Sequence, residues 1–62
     1  MATIIEQYSY HSEEIEKNLK LLQKKLKKHK SGFKENPKNW GYVGDLTYIK
    51  EKLVEINAFL RD

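Results

Sequence analysis

Ile15-Glu16-Lys17-Asn18-Leu19-Lys20-Leu21-Leu22-Gln23-Lys24-Lys25-Leu26-Lys27-Lys28 is the stretch that decides how this chain folds. Ile15, Leu19, Leu22 and Leu26 recur in steps of four, three and four, which places them on one stripe of an α-helix. The same spacing takes in Ile5 and Tyr8 upstream and Phe33 downstream, so the stripe is a heptad seam with Ser12 and His29 as its polar interruptions. In that register Lys17, Lys20, Lys24, Lys27 and Lys28 occupy positions f, b, f, b and c, opposite the leucines.

The ends of this helix have local signals. Thr3 followed by Glu6 has the spacing of a capping box, and Ser12 before Glu13 and Glu14 offers a second start whose acids suit the positive end of the helix dipole. A first helix is therefore expected over about residues 3–31 or 12–31. In the shorter version residues 1–11 form an arm, because Tyr8, Ser9 and Tyr10 are mediocre helix formers. Ser31-Gly32 reads as a helix stop, and Asn36-Pro37 as an N-cap with proline at the first helical position, which leaves a connector over about 31–36.

Beyond it, Leu46, Ile49, Leu53, Ile56 and Leu60 repeat the three-four spacing while Lys50, Glu51, Lys52 and Glu55 fall on other positions. Gly41 and Gly44 each weaken helix by about 1 kcal/mol relative to alanine. The second helix is accordingly expected over about 37–61, or over 45–61 with Asp45 as its N-cap.

These elements define an all-α chain, a single domain over 1–62 in which two helices form an antiparallel hairpin. Sixty-two residues bury too little surface for a comfortable margin of stability, and with no cysteine there is no disulfide to help. Pairing two hairpins into a homodimeric four-helix bundle would bury both seams together with Trp40, Tyr42 and Phe59. His11 and His29 do not make an i, i+4 ligand pair, so no metal site and no cofactor are expected. No nucleophile beside a base and no facing carboxylates occur, and an enzyme is not expected. Glu13, Glu14 and Glu16 beside His11 are read as dipole complementation. The opening residues lack a basic start and an apolar run, no stretch reaches the length of a membrane span, and the expected location is cytoplasmic.

Charge is the functional signal. Residues 1–16 sum to −4, 17–38 to +8 and 39–62 to −1, so a formal net charge of +3 conceals a local basic block. Such a ridge attracts an anionic partner. The leading expectation is a small accessory or regulatory protein that binds nucleic acid, RNA or DNA, nonspecifically through Lys17, Lys20, Lys24, Lys27 and Lys28. Lysine lacks the bidentate fork that reads guanine, and Arg61 is the one arginine. The alternative is an inhibitor or adaptor that docks the same lysines on an acidic protein surface. A membrane-surface helix ranks below both, because the apolar face is expected to be occupied inside the fold. Trp40 and Tyr42 are candidates for a partner surface or for packing of the connector.

The run Asn36-Pro37-Lys38-Asn39-Trp40-Gly41-Tyr42-Val43-Gly44-Asp45-Leu46, followed by a helix ending Asn57-Ala58-Phe59-Leu60, resembles the C-terminal half of a group of small uncharacterised bacterial, phage and plasmid helical proteins. That resemblance covers about 25 residues and implies a small helical protein without a mechanism. If the motif is structural, Trp40 anchors the turn, the glycines allow close backbone approach and Asp45 caps the second helix. In architecture alone, with no shared residue motif, a dimeric hairpin with a basic outer face is similar to the plasmid RNA-binding Rop protein, and architecture does not carry function.

Overall fold

The computed structural model describes residues 3–60, which form two helices and no strand. Helix α1 spans Ile4–Glu35 and helix α2 spans Gly41–Phe59. The described residues divide into two compact units, one running through Lys30 and the other beginning at Ser31.

Helix α1 takes the longer of the two expected starts. The Glu6 N–H donates to Thr3 Oγ1 at 3.1 Å, the Thr3 hydroxyl donates to Glu6 Oε1 at 3.2 Å, and the Gln7 N–H donates to the Thr3 carbonyl. Thr3 is thus the N-cap, and satisfying these otherwise orphaned groups offsets the poor propensity of Tyr8, Ser9 and Tyr10. Within the first unit, Asn18 donates its side-chain amide to the Glu14 carbonyl at 2.7 Å. Tyr10 and His11 meet edge to face, with ring centroids 5.3 Å apart.

The end of α1 lies beyond the expected stop, and the cause is visible in the second unit. Ser31 and Gly32 are helical. A Cβ added at Gly32 would lie 3.1 Å from Tyr42 Oη and 3.3 Å from Tyr42 Cε1, so the glycine seats the Tyr42 ring instead of ending the helix. Phe33 holds the other side of that ring edge to face, at a centroid distance of 6.1 Å. Termination falls to Asn36, whose backbone N–H is shared between the Gly32 and Phe33 carbonyls and whose side-chain amide also donates to the Gly32 carbonyl at 3.3 Å.

Pro37 does not open α2 but sits with Lys38 in a turn closed by the Asn39 N–H donating to the Asn36 carbonyl. The cap of α2 comes from Asn39, in place of Asn36 or Asp45. Its Oδ1 accepts the Gly41 N–H at 2.9 Å, and its carbonyl accepts the Tyr42 N–H. A Cβ at position 41 would stand 3.0 Å from that same oxygen, which accounts for glycine there. Trp40, at φ −64 and ψ −16, already has helical backbone geometry, so Gly41 and Gly44 are carried inside the first turn.

No described side chain in either unit is buried. In α2 the Leu46, Ile49, Leu53, Ile56 row is covered unevenly: Ile49 and Leu53 are half-buried, whereas Leu46 is 49% and Ile56 56% exposed, and Tyr48 and Val54 off the row are exposed too.

Candidate nucleic-acid interface

The five lysines of the ridge are all on the first unit, carried by α1, and all exposed. The helix sets their directions. Lys20, Lys24 and Lys27 come together with Gln23, Leu26 and Lys30 around one shallow depression open to solvent. Lys17, one heptad before Lys24 at the same position, and Lys28 do not line that depression. The heptad alone does not single out Gln23 and Lys30, because it assigns them to the flanks of the seam. Their inclusion is legible only in that each lies three or four residues from another lining residue, as the helix repeat requires.

The partner of Lys17 is a weak one. Lys17 Nζ stands 3.6 Å from Glu14 Oε1, with 73% of the lysine side chain exposed, a solvated pair worth no more than about 0.5 kcal/mol. Lys20, Lys24 and Lys28 carry no ion pair among the described residues. Leu21, 46% exposed, shares the outward side with them and offers apolar contact between cations.

The structure separates Trp40 from Tyr42. Tyr42 is half-buried against Gly32 and Phe33, whereas Trp40 is 80% exposed and borders a shallow depression with Phe33, Pro37 and Val43. Packing of the connector therefore rests on Tyr42, and Trp40 does not anchor it. On α2, Lys52 lies 5.5 Å from the centroid of the Tyr48 ring and 3.6 Å from Glu55 Oε2, so this cation has local partners.

Among the described residues no three His, Asp or Glu side chains converge to hold a metal ion, and no helix is long and apolar enough to cross a membrane. No protein-family model matches the chain, and no curated protein or solved structure matches it either. The chemical reading of the ridge rests on its geometry and charge.

Proposed function

We propose that this chain is a small accessory or regulatory protein that forms an antiparallel helical hairpin, pairs with a second copy, and binds nucleic acid nonspecifically along the lysine ridge of α1. The observation that carries the reading is the placement of Lys20, Lys24 and Lys28 on the side of α1 away from the seam, without an ion pair among the described residues. Cations already solvated and unpaired lose little on meeting phosphate and gain the entropy of released counterions. Lys17 joins them once it leaves Glu14, at a cost set by a weak exposed pair. Ammonium groups on flexible stems contact backbone oxygens and leave base edges unread, so RNA hairpins and duplex DNA are bound by charge and shape.

Pairing supports this reading energetically. With no side chain buried in either unit, each large apolar residue removed from water by association adds roughly 1.5–3 kcal/mol.

The test is a salt titration of binding to duplex DNA, hairpin RNA and single strands. Five neutralised phosphates give a log-log slope of about −4.5 on duplex DNA. Absence of binding at about 50 mM salt, where such contacts are strongest, would overturn the proposal and leave an acidic protein surface as the partner class to test.

A further inference from the structure

We infer that, where two hairpins pair, the seam of α1 faces the same seam of a second copy across the shared core, run antiparallel, with the two-fold axis between Lys20 and Leu21. The inference rests on the pairing proposed above and specifies its register. Three observations lead to it.

Taken by itself, the first unit leaves its seam wet. Ile15 is 60% exposed and Leu19 50%, while Leu22 and Leu26 are only half-buried. A seam with this periodicity packs against another helix.

The order of residues along the seam is complementary to its own reverse. With the axis between Lys20 and Leu21, Leu19 of one copy meets Leu22 of the other, Ile15 meets Leu26, and Ser12 meets His29. The two polar interruptions thus share a layer instead of each facing a hydrocarbon side chain. Both polar layers of the antiparallel pair then match the Ser12 hydroxyl to the His29 imidazole, whereas parallel pairing would set two imidazoles at one level. Parallel pairing sets every residue opposite itself and gives separate Ser12 and His29 layers.

Charge selects the same direction. Of the charged residues that flank the seam, Glu16 at position e lies on the N-terminal half of the first unit, and Lys25 at g and Lys30 at e lie on its C-terminal half. Antiparallel pairing brings the acidic half of each helix alongside the basic half of the other, whereas parallel pairing stacks two basic blocks at the same height. The outward positions f, b and c stay clear of the seam, so the pair displays two lysine ridges.

The native chain has no cysteine, which makes a crosslinking test clean. Ser12→Cys and His29→Cys chains, made separately and mixed in a glutathione redox buffer, are expected to give the mixed disulfide dimer as the dominant product. Disulfide dimers of each variant with itself, formed equally well without mixing, would overturn the antiparallel register while leaving a dimer in place. Sedimentation of the unsubstituted chain guards against variants that fail to fold, and mass at twice that of the chain is expected. A monomer at high micromolar concentration would overturn the pairing itself, and neither result bears on whether nucleic acid binds.

Discussion

The unit through Lys30 and the unit from Ser31 onward are built on different principles. The first is periodic. Its seam residues, its ridge lysines and its polar interruptions follow the helix repeat, with Ile4, Tyr10 and Leu21 off the seam, and Thr3 with Glu6 acts as an individual capping signal. The second depends on single side chains, namely Gly32 under Tyr42, Asn36 at the end of α1 and Asn39 at the start of α2. Where a structure is set by repetition, replacing one residue matters according to the face it occupies. Where it is set by individual contacts, each replacement matters by its own chemistry.

The largest effect should come from the periodic unit. Leu22→Asp places a carboxylate on the seam and is expected to remove association and cost at least about 3 kcal/mol, measured by thermal denaturation followed by circular dichroism. Leu21→Gln, one position away on the lysine side, is expected to change stability by less than about 0.5 kcal/mol. Similar losses at both positions would break the distinction between faces on which the reading of α1 rests.

The ridge comes next. Replacing Lys20, Lys24 and Lys28 together by glutamine is expected to leave helix content unchanged and to make the salt dependence of duplex binding shallower by about 2.7 log units per log unit of salt. An unchanged slope would move the contact elsewhere on the chain. In the second unit, Asn39→Ala removes the acceptor of the Gly41 N–H and should cost about 1 kcal/mol, with fraying confined to the start of α2 in amide exchange. The smallest and most diagnostic difference separates two glycines. A methyl group at Gly44 would point into open space, so Gly44→Ala should stabilise by about 0.5–1 kcal/mol. Gly32→Ala has the same helical advantage but must push the Tyr42 ring aside, and it should give a clearly smaller gain or a net loss in the same melting experiment.

These contrasts also explain what the amino-acid sequence discloses. The existence of both helices follows from spacing, and capping chemistry offers Thr3 as one of two starts for α1, with Ser12 the other; the helix repeat alone sets Lys17, Lys20, Lys24, Lys27 and Lys28 opposite the seam. The end of α1 does not follow from either, because Ser31-Gly32 carries a stop signal that the Tyr42 ring overrides from ten residues further along. Asn36 and Asp45 both carry plausible signals for capping α2, and neither does so. The turn through Pro37 and Lys38 places the Asn39 carboxamide at the Gly41 N–H instead, a result of chain direction that spacing alone does not reveal. The grouping of Lys30 and Gln23 with Lys20, Lys24 and Lys27 is hidden by the heptad, which sorts residues by angle around the axis and does not describe how long side chains lean along it.

The lone tryptophan of the chain stands in water beside Pro37, and this makes the molecule its own optical reporter. Its emission should be red-shifted and readily quenched by iodide or acrylamide. A ligand that settles over the connector will turn that light blue and shield it, whereas one that binds only along the ammonium groups of α1 will leave the spectrum where it was.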